Sequence, residues 1–204
     1  MTEYNPMDEM QFDVLREIGN IGSGHAATAL ARMLNQKIDI EVPKAELCDF
    51  NRLPAIVGGE ENIVVGILLT LTDDVEGMMM FIMEKESAYN LIRKLMGTEI
   101  DSEEELDEIQ RSALQEIGNI ITGAYLSSLS DLTRLSISAS IPYIAIDMAG
   151  AILSVPAIEF GKLGDKALMI EAEFGGDQKD KIEGYFLLIP TMESYSAIMN
   201  SLGM

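Results

Sequence analysis

Leu15-Arg16-Glu17-Ile18-Gly19-Asn20-Ile21 returns later in the chain as Leu114-Gln115-Glu116-Ile117-Gly118-Asn119-Ile120. Self-similarity of this kind organises a whole chain when it persists beyond one element, and here it does. The same displacement carries Gly24 onto Gly123, Leu30 onto Leu129, Ile38 onto Ile137 and Pro43 onto Pro142. Further on, Pro54-Ala55-Ile56 answers Pro156-Ala157-Ile158 and Glu76-Gly77 answers Glu183-Gly184, the second copy having gained residues in between.

Each copy runs through the same kinds of element. Phe12, Ile18, Ile21, Ala29 and Met33 fall at helical spacings, predicting a helix from Met10 to Met33, and the alternation Lys37 to Val42 predicts a strand ended by Pro43. Ile63 to Leu71 and Gly77 to Met83, separated by Asp73-Asp74, have the pattern of an antiparallel hairpin. Ser87 to Met96 closes the half as an amphipathic helix before Gly97. The second copy opens with the capping-box spacing Ser102 to Glu105 and a long helix to about Thr133. Strands at Leu135 to Ile141, Lys166 to Phe174 and Gly184 to Pro190 follow, then a helix from Glu193 to Leu202. The expected fold is one α+β domain over residues 1–204, built of two repeats (about 8–100 and 103–204). A six-stranded, mainly antiparallel sheet would lie on one side and the two long helices on the other, related by a pseudo-two-fold axis.

Composition limits the function. With 204 residues, 48% hydrophobic and 24% charged, the chain can build a core, which excludes intrinsic disorder. Thirty-four acidic against fourteen basic side chains leave a formal charge of −20, which repels nucleic acid and anionic lipid. Cys48 is the only cysteine, so there is no intramolecular disulfide or thiolate metal cluster, and a cytoplasmic location is expected. The acidic N-terminus lacks the features of a secretory signal. The apolar stretch Ile137 to Pro156 is broken by Pro142, Tyr143 and Asp147, so no membrane span is expected. Duplication within one chain argues for a monomer.

Asp13, Glu17 and Asn20 share one stripe of the first helix, and Ser112, Glu116 and Asn119 repeat it on the second. A solvated helix face is the ordinary reading of such a stripe. Against it, Glu and Asn recur unchanged while Arg16 and Gln115 between them differ, and Gly19, Gly22 and Gly118 stand inside the helices. Each mid-helix glycine costs about 1 kcal/mol relative to alanine. Either a partner's backbone approaches closely there or the helices pack closely inside the protein.

The spacing Asp13-x3-Glu17-x2-Asn20-x22-Pro43, repeated as Ser112-x3-Glu116-x2-Asn119-x22-Pro142, resembles the duplicated signature of the CheC, CheX and FliY family of chemotaxis phosphatases, most of all its CheC-type members. The resemblance spans nearly the whole chain. It implies hydrolysis of the aspartyl phosphate of a CheY-type receiver, and for CheC-type members a second partner, the receptor deamidase CheD. Physical chemistry is compatible with that. The amides of Asn20 and Asn119 have no useful basicity, but they can hold a water in line, and phosphoryl transfer asks mainly for such positioning. Glu17 and Glu116 are placed to pair with a lysine of the receiver, while Asp13 and Ser112 either finish the docking surface or bond locally. The receiver would bring its own Mg²⁺, so no metal or cofactor of the chain's own is expected. The alternative is a noncatalytic flagellar-switch or scaffold module that grips a receiver or the deamidase through the same residues.

Other residues carry less. His25 has Ala124 as its counterpart, which favours a packed or surface histidine; Cys48 reads as an inert buried thiol. The methionines, Met78-Met79-Met80 included, read chiefly as core filler. Ile144 to Val155, apolar except for Asp147, is expected to form a short helix. Either it presents Asp147 to the deamidase, or Ile146, Ile152 and Leu153 cap the core.

Overall fold

The computed structural model describes residues 9–34, 40–160, 166–174 and 182–203. The chain opens with α1 (Glu9–Leu34), β1 (Ile40–Asp49), a single 3-10 turn, α2 (Leu53–Ile56), β2 (Ile63–Asp73), β3 (Gly77–Glu84) and α3 (Lys85–Met96). It continues with α4 (Glu108–Thr133), β4 (Ile137–Ala139), β5 (Tyr143–Met148), α5 (Ala149–Phe160), β6 (Lys166–Phe174), β7 (Ile182–Pro190) and α6 (Met192–Ser201). The Lys37–Asp39 part of the first expected strand lies outside the described residues.

All pairings are antiparallel, and the sheet runs β1-β6-β7-β3-β2, with β4 and β5 both on the outer edge of β2. Among the described residues seven strands therefore stand where six are expected, because the last position is shared by two short ones. The break falls at Pro142, which has no N–H to give a ladder. Across it the register steps by one, from Leu71↔Ala139 to Leu68↔Tyr143. At the opposite edge β1 steps by one between Glu41 and Lys44, around Pro43, but stays one strand. Proline is tolerated in both places because these are edge strands with a free side.

Side chains of each strand alternate between two cores. Val65, Ile67, Leu69, Phe81, Phe186, Leu168 and Ile170 meet Ile18, Leu30, Leu114, Ile117 and Ile121 of the long helices. Val64, Leu68, Met78, Met80, Ile82, Leu187 and Ile189 meet Leu53 and Val57 at α2 and Ile152 and Leu153 of α5. The expectation of a sheet on one side and helices on the other thus holds for α1 and α4 but is incomplete. The sheet is a middle layer, and every residue from Gly77 to Met83 is buried, as in a strand covered on both faces.

Two local expectations change. The capping box of α4 is formed by Asp107 and Gln110, each accepting the other's backbone N–H, at 2.8 and 2.9 Å. Ser102 to Glu105 lies in the loop before it. Ile144 to Val155 is strand β5 up to Met148 and helix only from Ala149. Its Ile152 and Leu153 are buried, and so close a core.

Candidate functional site

The two long helices lie together on the sheet, each backed by apolar side chains and presenting its polar stripe to solvent. Asp13, Glu17 and Asn20 on α1 are exposed, and so are Ser112, Glu116 and Asn119 on α4. Glycine sets how each helix sits. A Cβ on Gly19 would stand 3.3 Å from Ile170 Cγ2 of β6, and one on Gly118 only 2.6 Å from Ile67 Cγ2 of β2. Both glycines are buried. They let the helix backbone rest on the sheet, which turns the following asparagine outward. Of the two explanations for the mid-helix glycines, close packing inside the protein is the one observed. Gly22 serves the same end between helices, since its Cβ would meet the Tyr125 ring at 2.7 Å.

Beneath the stripes the helix pair is fastened by one buried polar contact, Ser23 Oγ to Tyr125 Oη at 2.5 Å. The Tyr125 ring stacks on Phe186 of β7, with centroids 4.3 Å apart. Burial pushes the Tyr125 phenol up to about 12, with the Ser23 hydrogen bond opposing. Thr122, at the place in α4 that Ser23 holds in α1, has a buried Oγ1 with no partner, because Ala26 stands where a second tyrosine would reach it.

Among the described residues, no hydrogen bond or ion pair engages the side chains of Glu17, Asn20, Glu116 or Asn119. Such groups are available to a partner. Asp13 is different: its Oδ1 accepts from Arg16 Nη2 at 2.9 Å, an exposed pair of small energetic weight. Gln115, at the corresponding place in α4, is half-buried and donates from Nε2 to the Pro142 carbonyl at 2.9 Å. That link ties the helix to the break in the edge strand. Sequence reasoning used Gln115 only as a position that differs from Arg16, and that unlikeness is the signal that could have found its role. Asp147 is not on a helix: it lies exposed near the end of β5, accepting the Met148 N–H at 2.7 Å. It therefore belongs to a different element from either stripe.

His25 is exposed, with Nδ1 3.5 Å from Ser128 Oγ. Cys48 is buried, and burial, with the Glu46 carboxylate adding, pushes its thiol up to about 11, the opposite of an activated thiolate. No group of three or more His, Cys, Asp or Glu among the described residues could hold a metal ion. No described helix is long and apolar enough to cross a membrane.

Residues 10–47 match the model of the CheC-like family, and residues 65–159 match that of the chemotaxis phosphatase CheX. The chain is 38% identical over 206 residues to the CheY-P phosphatase CheC of Bacillus subtilis, covering all of this chain and 99% of that protein. Among solved structures, Thermotoga maritima FliY superposes with a TM-score of 0.76 at 24% identity, over 98% of both chains. A CheX in complex with CheY, BeF3 and Mg from Borrelia burgdorferi superposes with a TM-score of 0.51 at 20% identity, over 86% of this chain and 97% of that one. These last two bear on the fold. Identity at 38% along the whole length settles the relationship: the chain belongs to the CheC-like family, the group to which its paired Glu and Asn signature pointed.

Proposed function

We propose that this chain is a phosphatase that hydrolyses the aspartyl phosphate of a CheY-type receiver. The observation that carries the reading is its full-length identity to a CheY-P phosphatase. The exposed, unengaged Glu and Asn side chains on two core-backed helices support the mechanism. Glu17 or Glu116 pairs with a lysine of the receiver and docks it. Asn20 or Asn119 then enters beside the phosphoryl group and holds a water for in-line attack on phosphorus. Attack breaks the bond from phosphorus to the carboxylate oxygen, releasing inorganic phosphate and the free aspartate. The Mg²⁺ that neutralises the phosphoryl oxygens is the receiver's own.

The two stripes are two sites of one duplicated domain, with repeats at about 8–100 and 103–204. With β4 and β5 taken as one strand broken at Pro142, the element order α-β-α-β-β-α recurs in each half, and the sheet order reads the same from either edge when β1, β2 and β3 are exchanged for β5, β6 and β7. Such a chain carries its dimer within itself and acts as a monomer, in the cytoplasm where receivers work. Asp147 on the open edge strand contributes to binding the receptor deamidase CheD.

The test is turnover under excess phosphorylated receiver by the unmodified chain, Asn20→Ala, Asn119→Ala and the double variant. Each single variant should keep part of the rate, and the double variant should fall to the receiver's own rate of phosphate loss. Loss of aligned water should cost on the order of a hundredfold per site. An unmodified chain that binds the receiver yet removes no more than one phosphate per molecule would be a scaffold instead.

A further inference from the structure

Duplication gives the two long helices equivalent residues but not equivalent contacts. At the common displacement Gly22 matches Ile121, Ser23 matches Thr122 and Ala26 matches Tyr125. The turn of α1 that follows Asn20 leans on α4. A Cβ on the buried Gly22 would stand 2.7 Å from Tyr125 Cδ1 and 3.2 Å from its Cα, so the two backbones meet there. One residue on, the Ser23 and Tyr125 hydroxyls share their buried hydrogen bond. The reciprocal contact does not exist: Ala26 has no hydroxyl, and Thr122 Oγ1 is buried without a partner among the described residues. The sheet holds α4 instead. A Cβ on Gly118 would meet Ile67 at 2.6 Å, against 3.3 Å from Gly19 to Ile170, so α4 is the more closely seated helix. Gln115 also ties α4 to the Pro142 carbonyl, whereas its counterpart Arg16 pairs with the exposed Asp13.

We propose that Tyr125 is a positioning residue for the first site alone: its hydroxyl, carried on α4, fixes Ser23 and with it the turn of α1 that bears Asn20, while Asn119 is fixed by the sheet. The inference rests on the phosphatase reading and deepens it, since it makes the two sites unequal. Ser23 lies three residues after Asn20, one turn along the same helix. Without the hydroxyl, α1 keeps only its looser seat at Gly19, and an amide that aligns a water tolerates little displacement. The Tyr125 ring is anchored independently of its hydroxyl, because it stacks on Phe186 with centroids 4.3 Å apart. Phenylalanine at this position therefore removes the link to α1 and keeps the packing of α4.

The experiment places Tyr125→Phe in two backgrounds: Asn119→Ala, which leaves only the α1 site, and Asn20→Ala, which leaves only the α4 site. With a CheY-type receiver phosphorylated by acetyl phosphate, kcat should fall about tenfold at the α1 site. KM there should stay within about twofold, because Glu17 is a further turn from the clamp, and both constants should hold at the α4 site. Any loss of stability is common to the two backgrounds, so a purely structural role would lower both rates alike or neither. Adding Ser23→Ala removes both hydroxyls and leaves neither unpaired, so the melting temperature should recover while kcat at the α1 site stays low. Recovery of that kcat along with the melting temperature would overturn the proposal, and so would equal loss at both sites or no loss at the α1 site. Amide hydrogen exchange is a readout independent of turnover: Tyr125→Phe should lose protection around Asn20 to Ser23 and keep it around Asn119 to Thr122. If neither parent turns over, the phosphatase reading falls and exchange decides alone. A change confined to α1 then keeps the clamp, and a change in both helices or in neither overturns it.

Discussion

Helix glycines divide into those that pack and those that do not, and substituting them one at a time tests how the helices are seated. Gly118→Ala would place a Cβ 2.6 Å from Ile67 Cγ2 and 3.0 Å from its Cδ1. Ile67 is fully buried in β2, so making room for it must displace packed neighbours. Overpacking of this kind costs about 1–3 kcal/mol, set against the gain of about 1 kcal/mol for alanine over glycine in a helix. The net loss is then about 0–2 kcal/mol. Gly123→Ala meets nothing within 4 Å and lies on the exposed side of the same helix, so it should keep the whole gain of about 1 kcal/mol. Thermal melts followed by circular dichroism resolve the pair, since 1 kcal/mol moves the midpoint by about 2–4 °C in a chain of this size. The functional consequence is sharper than the stability one. Relief of the clash lifts α4 from β2 at the residue before Asn119, and a displacement of about 1 Å can cost about a hundredfold in rate. Gly118→Ala should therefore lose turnover at the α4 site while remaining folded, and Gly123→Ala should keep it. A Gly118→Ala protein that melts as high as Gly123→Ala, with full turnover, would refute the idea that glycine seats the helix and positions the amide.

Asn20→Ala and Asn119→Ala should each change stability by no more than about 0.5 kcal/mol, because both amides are exposed and unbonded; a large loss in urea unfolding would make them structural. Asp147→Lys should weaken binding of the deamidase, and unchanged affinity by calorimetry would remove β5 from that interface. Cys48 and Tyr125 both have raised pKa values, so their neutral forms belong to the folded state. Their stabilisation is complete below about pH 9 and is lost as the pH climbs toward about 11 and 12. Melting temperature should fall across that window, less steeply in Tyr125→Phe, and an identical slope in that variant would exclude the tyrosine. At neutral pH the same Tyr125→Phe should cost about 1 kcal/mol, since Ser23 Oγ is left buried without its partner.

Periodicity and repetition belong to the chain itself, and they were enough to find both long helices, the β2–β3 hairpin and the terminal helix. They also found the exposed Glu and Asn stripes, because a helix repeats every 3.6 residues whatever it packs against. The unbroken apolar run Gly77 to Met83 already meant a strand covered on both faces. Its covering was missed because α2 is a single turn and the apolar segment before α5 reads equally as strand or helix. Only tertiary structure could decide that Tyr143 to Met148 is a strand, since β2 offers an edge whose backbone groups need partners. It also decided that Gly118 faces Ile67 and that Gln115 reaches the Pro142 carbonyl. Each of these joins residues far apart in sequence, and their distances follow from how the layers stack, which no local pattern encodes.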